Sequence, residues 1–135
     1  MIVLDASVAL KWFVDEALSE EAGEWLVAVQ EDPGQFIVPE IFFSECLAVL
    51  CRMRAAKVEN VQESLALLEN LGMTRVAHGH ELLELAARYS ISWNVSGYDA
   101  VYLALASLTG GVWITADERA VRRVKTPRLV RLLGA

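Results

Sequence analysis

Five apolar runs of only three to five residues, each set between longer stretches of helical character, constrain this chain more than any other feature. They are Ile2-Val3-Leu4, Phe36-Ile37-Val38, the weaker Thr74-Arg75-Val76-Ala77, Val112-Trp113-Ile114-Thr115 and residues 129–133. Such runs are too brief for helices, and a strand covered on both faces reads as unbroken apolar sequence. Helices are expected over 7–14, 19–30, 40–56, 59–71, 80–90, 96–109 and 117–124. The punctuation agrees: Asp32-Pro33-Gly34 reads as a turn, Pro39 closes the second strand, Gly72 and Gly110-Gly111 stop helices, and Pro127 breaks the last one. Parallel neighbours need helical crossovers, and the chain supplies one or two between each pair of strands. The pattern predicts an α/β fold, a mostly parallel five-stranded sheet flanked by helices. With no repeat, low-complexity stretch or linker, residues 1–135 read as one domain.

Composition narrows the class. At 135 residues with 55% apolar content, the chain can bury a real core and is not disordered. No apolar run approaches the roughly 18 residues of a membrane span. The start, Met-Ile-Val-Leu-Asp, has no basic leader, so a soluble cytoplasmic protein without a membrane partner is expected. Cys46 and Cys51 are five apart on one predicted helix, about 140° around its axis, so they should not bridge. Both read as small core residues rather than zinc ligands, since no paired Cys or Cys/His spacing is present.

Charge is unevenly distributed. All 18 acids fall within residues 1–118, whereas the last 17 residues carry six bases and no acid. The body is therefore −12 and the tail +6, since the other six bases lie in the body. A basic edge beside an acidic site suits a polyanion held by its phosphates. Arg119, Arg122 and Arg123 are the phosphate-contact candidates; a solvated final helix is the plain alternative.

Ligands in open parallel sheets sit beyond the carboxyl ends of the strands, so the residues after each strand matter most. The first strand ends in Asp5 and the fourth in Thr115-Ala116-Asp117. Neither a Gly-x-x-x-x-Gly-Lys-Ser/Thr loop nor a Gly-x-Gly-x-x-Gly follows the first strand, and no Gly-x-Ser-x-Gly elbow is present. Nucleotide-dependent and serine-hydrolase chemistries drop away. Four carboxylates remain. Asp5 and Asp117 each suit a helix N-cap, and Ser96 to Asp99 resembles a capping box. Glu45 shares a helix face with Ile41, Phe42, Ala48 and Val49, where an unpaired carboxylate is costly unless it sits at the edge or pairs with a base such as Arg52. If the four converge, they need a cation. Two charges 4 Å apart repel by about 4 kcal/mol at an effective dielectric near 20. Oxygen donors select a hard divalent ion, Mg²⁺ with Mn²⁺ able to take its place, and such an ion activates water and stabilises phosphoryl charge.

At this point the sequence resembles a PIN domain, specifically the toxin ribonuclease of a VapBC toxin–antitoxin pair. The likeness runs from Met1 to about Leu133. Its anchors are Ile2-Val3-Leu4-Asp5-Ala6-Ser7, Pro39 to Glu45, Tyr98-Asp99-Ala100 with Tyr102 to Ala106, and Thr115-Ala116-Asp117-Glu118-Arg119. The resemblance implies that Asp5, Glu45, Asp99 and Asp117 form a catalytic acidic site, with Asp5, Asp99 and Asp117 on the metal and Glu45 as a ligand or water-orienting base. It implies Ser7 and Thr115 as hydroxyl support, adjacent first and fourth strands, a homodimer and a VapB-type antitoxin that blocks the site. The implied activity is metal-dependent hydrolysis of RNA phosphodiesters. One departure stands out: many members carry Asn three residues after the helix glutamate, where this chain has Ala48. Loss of that Asn would weaken activity or metal affinity if it orients the acids.

Other features have blander readings. Trp12, Phe13 and Trp25 line an antitoxin groove or, more simply, cover the sheet. Trp93 and Trp113 read as core. His78 and His80 lack a third metal ligand nearby. Tyr98 and Tyr102 share a helix face suited to packing or a dimer contact, with base stacking as the alternative. Two rival functions stay open. One is a non-catalytic PIN-like module that binds RNA or a protein partner. The other is a metal-dependent phosphatase, disfavoured because Asp5-Ala6-Ser7 lacks the second Asp of an Asp-x-Asp motif.

Overall fold

The apolar runs form the five strands of a single sheet. The computed structural model describes residues 1–135. Its strands are β1 (Ile2–Leu4), β2 (Phe36–Pro39), β3 (Thr74–Val76), β4 (Val112–Thr115) and β5 (Val130–Leu132). The order is β3-β2-β1-β4-β5, and every pair is parallel. Val3, Leu4, Trp113 and Ile114 in the central strands are fully buried, which is why those runs are apolar up to Thr115 at the end of β4. β3 lies at an edge with Thr74 and Arg75 exposed, and its apolar signal is correspondingly weak.

Seven helices cover the sheet: α1 (Ala6–Leu10), α2 (Ser19–Glu31), α3 (Ile41–Arg52), α4 (Val58–Glu69), α5 (His80–Trp93), α6 (Gly97–Thr109) and α7 (Glu118–Arg123). None is long and apolar enough to cross a membrane. α6 is the central helix, with every side chain from Ala100 to Ala106 buried. It ends at Gly110, whose φ of 66° lies in the left-handed region where glycine carries no Cβ penalty. Gly111 then brings the backbone of β4 against that of β1. A Cβ there would stand 2.3 Å from the Met1 carbonyl oxygen. Gly111→Ala is therefore expected to cost roughly 1–3 kcal/mol or more, because backbone rather than a flexible side chain must yield. A fall in thermal midpoint checks this, and an unchanged midpoint would show that the strand starts can part freely.

Several helix ends differ from the sequence pattern. The first helix was expected through residue 14 but stops at Leu10. The Trp12 indole N–H donates to the Ala22 carbonyl at 2.7 Å, so tertiary packing takes the chain inward there. The third was expected through residue 56 but ends at Arg52, with Met53 extended and Ala55 at φ 62°. The fifth runs on to Trp93, where Asn94 caps it in the left-handed region. Cys51, expected in the core, is exposed, while Cys46 is buried. Tyr98 and Tyr102 do not share an environment: Tyr98 is 63% exposed and Tyr102 fully buried. Trp12, Phe13 and Trp25 are partly buried against the core, and Trp25 meets Phe36 edge-on. Trp25 lies over the sheet, whereas Phe13 lines a separate pocket with Leu50, Met53 and Val61, so the three do not share one groove.

Candidate active site

The sheet places the acids. The chain builds β1, β2 and β3 outward on one side, then returns to add β4 and β5 on the other. The order reverses between β1 and β4, and a crevice opens beyond their carboxyl ends. Leu4 pairs with Ile114 in register, so the next residues, Asp5 and Thr115, stand side by side. The Asp5 N–H donates to the Ile114 carbonyl at 2.9 Å, which extends the ladder by one bond.

Asp5 is only 8% exposed and tightly held. Oδ2 accepts from the Ser7 N–H at 3.1 Å and from Thr115 Oγ1 at 3.3 Å. Oδ1 accepts from the Trp113 indole N–H at 3.2 Å. Burial pushes its carboxyl above the usual range, and these donors pull it back only in part. It also caps α1, so the capping and site readings coexist. Ser7 and Thr115 brace the loop after β4: Ser7 Oγ accepts from the Ala116 N–H at 3.0 Å, and Thr115 Oγ1 accepts from the Asp117 N–H at 3.2 Å.

The other three acids come from three separate elements. Glu45, on α3, accepts on Oε1 from the Tyr102 hydroxyl at 2.7 Å; that bond replaces the pairing with Arg52 considered from sequence. Burial pushes the Glu45 carboxyl up to about 7, and the charges of Asp5 and Asp99 add to it against the pull of Tyr102. Asp99 sits in the first turn of α6, where its N–H donates to Ser96 Oγ at 3.0 Å. Burial raises Asp99 to about 6, with Asp5 and Asp117 adding repulsion. Asp117 caps α7 through Oδ1, which accepts from the Arg119 and Ala120 N–H groups. Asp5 and Asp99 thus act on Glu45, and Asp5 and Asp117 act on Asp99, which links the four carboxylates around one crevice. A groove of about 480 Å³ reaches it, lined in part by Ser7, Leu10, Lys11, Val49, Ala116 and Asp117.

The PIN-domain family model matches residues 2–126. The chain belongs to the PIN-domain family. No curated protein matches it. Among solved structures, this PIN domain is similar to a toxin–antitoxin complex from Klebsiella pneumoniae, at 18% identity and TM-score 0.72, covering 97% of this chain and 96% of that one. It is similar to FitAB bound to an IR36 DNA fragment, at 17% identity and TM-score 0.75, covering 98% and 94%. It is also similar to VapC20, the sarcin–ricin loop cleaving toxin of Mycobacterium tuberculosis, at 15% identity and TM-score 0.73, covering 94% and 98%. At these identities the likeness speaks to the fold.

The donor set of the PIN-domain site fits a hard divalent cation. It offers carboxylate and hydroxyl oxygens with no sulfur or imidazole among them, and neighbouring negative charges add to the raised pKa of Glu45 and Asp99. No three side chains stand close enough to hold an ion as they are. Mg²⁺ takes one or two carboxylates and keeps several waters, so it does not require such a three-ligand cage. The Cys46 thiol beside the site is pushed up to about 12 by burial and by the charges of Glu45 and Asp5, so it is no nucleophile. His78 and His80 are engaged elsewhere: His78 Nε2 accepts from the Ile41 N–H at 3.2 Å, and His80 pairs with Glu84.

Of the basic tail, Arg119, Arg122 and Arg123 lie on α7 directly after Asp117 and are exposed. Arg119 makes no ion pair, Arg122 stands 4.0 Å from Glu118, and Arg123 donates to the Asn94 carbonyl. The sequence pattern missed two contributors, Tyr102 and Trp113, because a core aromatic with a polar tip looks like any other core aromatic until its partner is placed.

Proposed function

We propose that this PIN domain is a divalent-metal-dependent endoribonuclease that acts as the toxin of a toxin–antitoxin pair. One observation carries the reading: carboxylates from β1, α3, α6 and the end of β4 gather around one crevice, and burial raises the pKa of Asp5, Glu45 and Asp99, with neighbouring charges adding to it at Glu45 and Asp99. A constellation that costly persists where a cation and an anionic substrate complete it. Asp5, Asp99 and Asp117 would hold Mg²⁺ or Mn²⁺, which supplies water activation and charge neutralisation at a phosphoryl oxygen. The chain's own groups do the rest. Ser7, Thr115 and Trp113 fix Asp5. Glu45, with Oε2 free of any hydrogen bond within the chain, serves as a further ligand of the cation or as the base that takes the proton of the attacking water. Arg119, and more weakly Arg122 and Arg123, hold the RNA phosphates.

Toxin–antitoxin complexes among the structural neighbours support an antitoxin partner, and the resemblance to VapC-type toxins implies a homodimer. A non-catalytic binding module has one observation in its favour, the spacing that leaves no ready three-ligand cage. Incubating cellular RNA with the purified protein and Mg²⁺, Mn²⁺ or EDTA separates the two. Metal-dependent fragments are expected; a folded protein that binds RNA yet never cuts it would favour the module.

A further inference from the structure

Two aromatic side chains meet the site from the core, and the proposed reaction gives Tyr102 no part and Trp113 only its bond to Asp5. Tyr102 and Trp113 are both fully buried. Each carries one polar hydrogen, and each directs it at a different carboxylate. Tyr102 Oη donates to Glu45 Oε1 at 2.7 Å, and Trp113 Nε1 donates to Asp5 Oδ1 at 3.2 Å. The two rings are themselves stacked, 5.6 Å between centroids and 19° from parallel. One is anchored in the buried centre of α6 and the other in β4. Neither ring can turn without opening a close-packed core.

Phenylalanine at position 102 would fill nearly the same space with no polar atom to satisfy, and an all-carbon side chain at 113 would likewise need no acceptor. A buried hydroxyl and a buried indole N–H instead need acceptors. Here both acceptors are site carboxylates, 57 and 108 residues away in sequence. Glu45 has no other hydrogen bond within the chain, so the Tyr102 hydroxyl alone fixes a side chain with three rotatable bonds. For Asp5 the indole fixes the oxygen that Ser7 and Thr115 do not hold.

We infer that Tyr102 and Trp113 are positioning residues, a stacked pair that sets the separation and orientation of the Glu45 and Asp5 carboxylates for a divalent cation. The inference rests on the proposed metal site. Hydrogen-bond partners behind metal ligands are worth about 10–100-fold in metal affinity.

The test uses Mn²⁺ as the probe. Tyr102→Phe keeps the ring and removes only the hydroxyl. It is expected to stay folded, to bind Mn²⁺ roughly 10-fold more weakly by calorimetry, and to lose kcat on RNA with little change in KM. Trp113→Phe should weaken Mn²⁺ binding in the same direction. A second measurement needs no folded variant. In the wild-type chain, substoichiometric Mn²⁺ should broaden the Trp113 indole N–H resonance ahead of those of Trp12, Trp25 and Trp93. Unchanged Mn²⁺ affinity in folded Tyr102→Phe overturns the positioning role and leaves the metal site standing. Broadening that spares Trp113 places the ion away from Asp5 and overturns both the positioning role and the metal site. A wild-type protein that takes up no Mn²⁺ overturns both.

Discussion

Asp5→Asn is expected to lower RNA cleavage by roughly a thousandfold and to leave the protein folded. The size follows from what is lost: a charge placed at the centre of the site, in a desolvated position where each electrostatic contact counts most. The fold should survive because Asp5 lies at a strand end rather than inside the ladder, and Asn keeps its shape. The exchange is not free locally. Asp5 accepts from three donors, and an amide nitrogen facing the Trp113 indole or the Ser7 N–H cannot accept. A drop of a few degrees in thermal midpoint is compatible with this. Cleavage rates on a single RNA substrate, with circular dichroism as the fold control, measure the effect. Wild-type rates in Asp5→Asn would place the chemistry elsewhere.

The second large effect is on stability, and its sign is unusual. Most carboxylates in folded proteins are stabilised as anions, so stability falls in acid. Here the folded pKa values are raised, to about 7 for Glu45 and about 6 for Asp99. The folded state then binds protons more tightly than the unfolded chain, and the metal-free protein loses stability as pH rises. The loss begins near pH 4, where the unfolded carboxyls titrate, and is complete as pH passes about 7. Full burial would make each shift worth about 3 kcal/mol; both groups are partly exposed, so roughly 1–2 kcal/mol in total is expected. Urea unfolding in EDTA at pH 5 and pH 8 reads this directly. Saturating Mg²⁺ should restore stability at pH 8 and do much less at pH 5, because a ligand that binds only the folded state stabilises it by mass action. Asp99→Asn should flatten the slope and be more stable than wild type at pH 8 without metal, by about 1 kcal/mol. Metal-free stability that rises from pH 5 to pH 8 would contradict the electrostatic picture of the site.

Which parts of the structure were readable in the sequence follows from where each signal lives. β1, β2 and β4 were legible because central parallel strands must be apolar on both faces, and Ile2-Val3-Leu4 or Val112-Trp113-Ile114 admits little else. β3 was faint because an edge strand leaves Thr74 and Arg75 in water. Helix ends marked by Gly110 or by the Ser96 cap were found. Those set by distant packing were not: nothing local tells residues 11–14 to leave the helix, since the bond from Trp12 reaches Ala22 across a turn. The four carboxylates were visible as odd charges in apolar or capping positions. Their aromatic supports were not, since the Tyr102–Glu45 and Trp113–Asp5 bonds join elements far apart in the chain.

Crystals grown with Mn²⁺ and measured at the manganese absorption edge test the four-carboxylate site most directly. Anomalous density is expected among Asp5, Glu45, Asp99 and Asp117, within coordination distance of an Asp5 or Asp99 oxygen. Density confined to another part of the surface, or none in this crevice at saturating Mn²⁺, would contradict a metal site there.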